Sequence, residues 1–470
     1  MQRAGTLLLS LVAVFLVPFT LTGASVALTD IGTQLDASLA ATQWVVNAYS
    51  ATFAGFMLIS GALADRWGRR RIFASGVALF ALCAVISSSA QNIVVLDVAR
   101  LVSGIGAAAT TTGASAVLAE TFTGPARARA FGLFGTTIGA GLAVGPTLTG
   151  LLVHTWGWRA AFAVPGAIGL LCLAFVRTMP ASRPDTRGGR LDRAGGTLFT
   201  LALLALIFGL VEGPERGWDT AAVAGALAAS AVLFAVFVVV ERRVAEPLLD
   251  LRLFGTGRFL GLCLAVVAVV GLFGPLLTYL PAYFAEVAGM GTGEAGLSMI
   301  ALTGPVLVVP LVCGALVRWI PGPVQVVASL VLVSAGAAWL ATGWSLFPAL
   351  VVTGVGVAVA QGLLDGLAVD AVPAEHAGAA AGTFNTAKLT AETLGIAAVG
   401  AVLAARTGGR LSGPRFPEAL HLTLWCFAGL CLVSAAVTAV LLRSRSGSPV
   451  APATRQAAET ADQREGAAAR

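Results

Sequence analysis

Long apolar runs separated by short polar breaks fill almost the whole chain. Runs with few or no charges occur at about 6–28, 44–64, 72–90, 93–119, 130–153, 160–178, 195–211, 220–240, 258–284, 295–317, 323–342, 346–369, 378–404 and 420–442. A helix needs about 20 apolar residues to cross the hydrocarbon core of a bilayer, so the pattern predicts fourteen transmembrane helices. The seventh run is the shortest. The first, after Arg3, is too long for the apolar region of a signal peptide and is read as a retained span. The tail 444–470, rich in Ala, Arg, Gln and Glu with Pro449 and Pro452, is expected to be disordered and cytoplasmic.

Composition removes the soluble alternatives. Hydrophobic residues make up 57% and charged residues 11% of the 470 positions, against roughly 45–50% and 25% in soluble domains. Mean hydropathy is +0.89. Such a chain cannot cover itself with polar surface, which excludes a soluble enzyme, a secreted disulfide scaffold and a disordered protein. The net charge of +6 would suit nucleic acid, but the arginines sit in clusters between apolar runs, as the positive-inside rule describes. With the N-terminus cytoplasmic, inside segments hold 22 of the Arg residues and outside segments five. Both termini are therefore read as cytoplasmic. Trp44, Trp156, Trp158, Trp218, Trp319 and Trp344 fall near span ends, as an aromatic belt would. The six Cys lie inside apolar runs and the three His have no partner at ligand spacing, so neither a metal site nor a cofactor is expected.

The most specific string is Gly61-Ala62-Leu63-Ala64-Asp65-Arg66-Trp67-Gly68-Arg69-Arg70-Arg71, between spans 2 and 3. Gly61 allows close helix approach, Gly68 permits a turn, and Asp65 can accept from arginines or sit at a helix N-terminus. Gly314-Ala315-Leu316-Val317-Arg318-Trp319 after span 10 is a weak echo of it, as internal repeats produce. In span 5, Gly135/Gly139 and Gly141/Gly145 are four apart and make small-residue ridges. Pro146 removes a backbone hydrogen bond there.

The loop string resembles the signature loop of the major facilitator superfamily. Arg100 to Gly106 resembles that family's fourth-helix motif. The run Gly139, Gly141, Gly145, Pro146, Gly150 resembles the fifth-helix motif of its exporters. Trp44 to Tyr49, Trp156 to Phe162 and Pro247 to Phe254 are similar to the fourteen-helix drug:proton antiporter branch. The resemblance implies an all-α integral membrane protein with two six-helix bundles around a central cavity and two inserted helices. The expected divisions are 1–190 for the first bundle, 191–245 for the insertion and 246–443 for the second bundle.

Ionisable side chains inside spans are costly and mark functional candidates. Arg100, with Asp97 three residues before it on the same helix face, is one pair; the resemblance implies that the arginine faces the cavity, and a structural ion pair is the plainer reading. Asp365, flanked by Gly362 and Gly366, is a candidate carboxylate for proton exchange; the plainer reading is an Asp close enough to Pro373 to reach cytoplasmic water. Lys388 and Glu392 are four apart on one face. They form a structural salt bridge or a switch in which protonating Glu392 frees Lys388, and the same Glu is a candidate to attract a cationic substrate. The resembling family usually carries an acid in helix 1, where this chain has Thr20.

The sequence has no Walker-type phosphate loop, and Lys388 is its sole lysine, so ATP hydrolysis in this chain is not the drive. No nucleophile–base constellation suggests an enzyme. The reading is a monomeric, multi-pass transporter of the bacterial cytoplasmic membrane. It is expected to export an amphiphilic, drug-like or antibiotic-like compound in exchange for protons. An importer of a metabolite on the same fold and a transport-inactive sensor or scaffold are the alternatives.

Overall fold

The computed structural model describes residues 2–180, 192–244, 249, 251–316, 319–372, 377–408, 411 and 413–443. The expected cytoplasmic tail, most of the segment between spans 6 and 7, and Arg318 of the internal echo lie outside them. The described chain is helical: α1 (Gln2–Val26), α2 (Leu28–Gln34), α3 (Leu39–Trp67), α4 (Arg69–Ser88), α5 (Ile93–Thr121), α6 (Gly124–Trp156), α7 (Ala160–Phe175), α8 (Arg193–Arg216) and α9 (Ala221–Glu241). Then follow α10 (Gly257–Glu286), α11 (Thr292–Ser298), α12 (Ile300–Leu316), α13 (Gly322–Ala341), α14 (Leu346–Asp370), α15 (Ala377–Thr407) and α16 (Arg415–Arg443). Among the described residues, thirteen helical segments are long and apolar enough to cross a membrane. The 29-residue α3, three of whose side chains lie outside the described set, is not one of the thirteen.

Successive long helices run up and down. The end where α1 begins and α16 finishes is called proximal here, and the end carrying Trp158 distal. α3 packs on α5, α4 on α5 and α7, and α1 on α6, making a first bundle. α10 packs on α15 and α16, α12 on α14, and α13 on α14 and α16, making a second. α8 lies against α3 of the first bundle and α15 of the second, while α9 packs on α8. Burial follows position. In its most apolar stretch α10 is 83% buried and α9 only 17%. Val223, Ser230 and Phe237 are buried on α9 at seven-residue intervals, a single stripe against α8, and Glu241 is buried at its end; most of the remaining side chains are apolar and at least partly exposed, as lipid requires.

α8 corrects the sequence expectation about the seventh span. It runs 24 residues, not the 17 of the apolar run. The apolar run stops at Glu212, but the helix does not, because that residue has partners the sequence does not show. The Trp44 indole N–H donates to Glu212 Oε1 at 2.9 Å, and Arg216 is ion-paired to the same carboxylate at 2.5 Å. Glu215 accepts from the Ser38 hydroxyl and the Ala40 amide, both at 3.1 Å, and so caps α3. Two tryptophans also leave the expected belt. Trp44 turns inward to Glu212, and Trp158 is buried against Phe162 with its N–H on Gln34 Oε1 at 2.9 Å. Trp156, Trp218, Trp319 and Trp344 are exposed at helix ends as anticipated.

Candidate functional site

The two bundles meet at the distal end. The Ser25 hydroxyl of α1 donates to the Leu277 carbonyl of α10 at 2.7 Å. Thr147 of α6 donates to the Gly296 carbonyl of α11 at 3.0 Å. Gly150 and Gly296 are reciprocal: a methyl on Gly150 would sit 2.8 Å from Gly296 Cα, and one on Gly296 would sit 2.9 Å from Gly150 Cα. Only hydrogen at both positions allows this approach. Thr292, at the distal start of α11, donates to Asp30 Oδ2 on α2, which lies outside the spans, at 3.4 Å. Burial raises the Asp30 carboxyl above its usual range, and the Thr292 hydrogen bond opposes that shift.

Toward the proximal end the glycines of α3 and α6 stand in open space. A methyl on Gly61 or Gly135 would meet nothing within 4 Å, and one on Gly139 would only touch Val306 at 4.0 Å. The expectation that Gly61 and the Gly135/Gly139 ridge serve close packing is therefore corrected. Gly141 and Gly145 do pack closely, but within the first bundle: methyls there would meet Pro18 Cγ at 2.6 Å and the Phe19 carbonyl at 3.0 Å. The fifth-helix motif thus divides its glycines between α1, through Gly141 and Gly145, and the opposite bundle, through Gly150. Pro146 lies inside α6, and its carbonyl faces Gly296.

The signature loop is a sharp joint. Gly68 has φ +99°, which L side chains rarely adopt, between the end of α3 and the start of α4. Arg70 Nη1 donates to the Met179 carbonyl at 2.9 Å, and Arg69 lies 3.7 Å from Glu120 at the end of α5. Arg66 is exposed. The side chain of Asp65 lies outside the described residues. The two arginines thus tie the joint to its own bundle.

Arg100 is fully buried, and its hydrogen-bond and aromatic partners lie within the first bundle. Its Nε donates to the Val45 carbonyl at 2.8 Å, and its guanidinium lies 4.0 Å from the Tyr49 ring centre and 5.6 Å from that of Phe162. Asp97 does not pair with it: Asp97 Oδ1 and Arg100 Nη2 are both buried without a hydrogen-bond partner. The arginine has turned to the α3 backbone and aromatic faces instead. Thr20 is structural, its hydroxyl donating back to the Leu16 carbonyl at 2.8 Å.

The ionisable groups of the second bundle are brought together differently from the spacing. Lys388 Nζ lies 3.4 Å from Asp365 Oδ2 on α14, across helices. Asp365 is half exposed at 52%, and Lys388 is mostly enclosed at 19%. Glu392, the residue spaced to pair with Lys388, is buried and turns toward α10, where a methyl on Gly274 would be 2.8 Å from its Cγ. An i,i+4 spacing makes two side chains neighbours but does not choose between them and a third group on the facing helix. Asp365 offers the lysine an acceptor nearer to solvent, and Gly274 offers the glutamate a slot.

Two polar features escaped the sequence reading. Gln43 and Asn47 of α3 are fully buried with both side-chain amide atoms unpartnered, and a methyl on Gly400 of α15 would press on Gln43 at 2.7 Å. Two amides four apart within an apolar run are visible in the sequence; their burial, and the seating of Gln43 against another bundle, are not. Glu212 and Glu215 were likewise visible as charges ending a run.

The sequence model of the Major Facilitator Superfamily matches residues 10–395. The chain is 34% identical over 389 residues to the multidrug resistance protein Stp of Mycobacterium tuberculosis, covering 81% of this chain and 72% of that protein. It is 32% identical over 421 residues to the tetracenomycin C resistance and export protein of Streptomyces glaucescens, covering 86% and 76%. The fold is similar to the crystal structure of a bacterial homologue of the human lysosomal transporter Spinster, with a TM-score of 0.65 at 17% identity over 94% of this chain and 97% of that one. With its multi-span helical fold and this match over most of its length, this chain belongs to the Major Facilitator Superfamily, as a multi-pass protein of the cell membrane.

Proposed function

We propose that the protein exports a small amphiphilic compound, drug-like or antibiotic-like, in exchange for protons. Each long helix, α3 included, crosses the bilayer, giving fourteen spans with both termini cytoplasmic. Residues 1–190 and 246–443 rock against each other, and 191–245 bridges them. On this orientation the distal seam is the outer gate, closed, and the proximal ends open to the cytoplasm, where an exporter loads. The names of the relatives, which include multidrug resistance and antibiotic export, support a compound of that kind.

The observation that carries the proton assignment is the separation of Glu392 from Lys388. The lysine charge is met by Asp365, which leaves a buried acid with no hydrogen bond or ion pair to its carboxylate among the described residues. Such an acid is costly to keep ionised and is suited to cycling between protonated and ionised forms as its surroundings change. Arg100 holds α3 and α5 in register rather than touching cargo. The chain acts as a carrier, with no chemical step on its substrate. Expression in a pump-deficient host should raise the inhibitory concentration of at least one amphiphilic compound, and an uncoupler should abolish efflux of that compound. Uncoupler-insensitive efflux, or accumulation in place of efflux, would refute the proposal.

A further inference from the structure

We infer that Gly274 of α10 is the positioning residue for Glu392: its missing side chain forms the slot that holds the glutamate against α10 and away from Lys388. The inference rests on the proposed proton role of Glu392 for its functional consequence, but the slot itself is a matter of packing. A methyl on Gly274 would be 2.8 Å from Glu392 Cγ, closer than real Cβ contacts, and 3.4 Å from both the Glu392 carbonyl oxygen and Ile396 Cγ1. The glutamate stem therefore occupies space that any other residue at 274 would fill. Below the slot the two helices touch through backbone: Gly271 and Gly395 face each other so closely that a methyl on Gly395 would run into the Gly271 carbonyl. The Tyr279 hydroxyl also donates to the Ile396 carbonyl at 3.0 Å, which resists retreat of the α15 backbone.

The next residue gives the slot a chemical purpose. Pro275 has no N–H, so the Gly271 carbonyl lacks its helical donor from four residues on. A helical carbonyl points along the axis toward that position, so this oxygen is directed to the level of Gly274 and Pro275, where the glutamate stem is seated. Protonation gives Glu392 a donor suited to an open backbone acceptor at this level of α10; ionisation removes the donor and favours Lys388. Few other charges enter this balance. Lys388 on α15 is the near one, with Asp365 of α14 behind it. α10 carries no Asp, Glu, Lys or Arg between Arg258 and Glu286. The face of α3 toward α15 presents the neutral Gln43. Glu212 of α8 is occupied by Trp44 and Arg216, and on α16 Glu418 and His421 are at the distal end.

Carbodiimide labelling with a water-soluble amine, read by peptide mass on the purified full-length protein, tests the slot directly. Asp365 should label in every variant and serves as the internal standard. Glu392 should label poorly in the wild type and at least fivefold more in Gly274→Ala. The same variant should lose at least fivefold in kcat for proton-driven efflux, with KM within twofold and substrate counterflow retained. Shortening the acid in Gly274→Ala/Glu392→Asp makes room for the methyl and should restore low labelling and part of the lost kcat. Unchanged Glu392 labelling in Gly274→Ala overturns the slot, as does failure of the shorter acid to lower labelling again. Raised labelling with undiminished proton-driven efflux upholds the slot and instead removes Glu392 as the proton carrier.

Discussion

Replacing Gly150 with alanine puts a methyl group 2.8 Å from Gly296 Cα and 3.0 Å from the Thr292 carbonyl oxygen. Unstrained carbon contacts lie near 3.5–4.0 Å, so the two bundles must part by the better part of an ångström at their tightest point. Neither obstacle is a flexible side-chain tip: both are backbone atoms of α11. Overpacking of this kind costs about 1–3 kcal/mol. That penalty falls only on the state in which the distal seam is closed, because the methyl is free once α6 and α11 separate. The ratio of distal-open to distal-closed molecules should rise about 5–150-fold. Spin labels at Trp156 and Trp344, exposed on opposite bundles at the distal end, report this separation once the exposed Cys426 and the other native cysteines have been replaced. The distance distribution of Gly150→Ala should move to longer values, and Gly296→Ala should do the same. Gly135→Ala, on the same helix in open space, should leave it unchanged. If Gly150→Ala and Gly135→Ala behave alike, the glycine pair is not what allows the distal seam to close.

Because burial raises the Asp30 carboxyl in the closed seam, that state binds more protons than one in which Asp30 is in water. Distal closure should be fullest below the ordinary carboxylate range near about 4 and weaken as pH rises through the elevated value, measured with the same label pair. Asp30→Asn should flatten that dependence. Gln43→Leu and Asn47→Leu each remove a buried, unpartnered amide, whose burial costs about 1–3 kcal/mol; each should shift the label distances toward the closed seam, and no shift would mean these amides find partners. Glu212→Gln removes the carboxylate that serves both the Trp44 indole and Arg216. Charged hydrogen bonds of this type are worth about 1.5–3 kcal/mol, so the melting temperature in detergent should fall while Glu120→Gln, a more exposed partner of Arg69, changes it little.

The fold was largely legible because lipid imposes a simple rule: backbone polar groups must be satisfied within each segment, so apolar run length reports directly on helices. The turn at Gly68 was legible for the same local reason, since a sharp joint between two helices needs a positive φ. What the sequence hid depends on the facing helix. Glu212 read as the end of a span until Trp44 and Arg216 supplied its partners, and Trp158 read as a surface anchor until Gln34 accepted its N–H. Lys388 was placed on a face with Glu392, yet its choice of Asp365 is made between helices 23 residues apart in sequence. The glycines of α6 looked like one motif, but their contacts divide them between α1, α11 and open space. Gly274 gave no signal among the chain's 56 glycines, because a slot is defined by what enters it.

The account stands on Glu392 taking up and releasing a proton each time cargo crosses. Proteoliposomes holding the purified protein and a pH-sensitive dye, with an imposed proton gradient, test this with one readout. Adding a transported compound should collapse the gradient in the wild type. It should leave the gradient intact in Glu392→Gln, although that variant still exchanges labelled for unlabelled compound. Compound-induced collapse of the same size in Glu392→Gln would contradict the assignment.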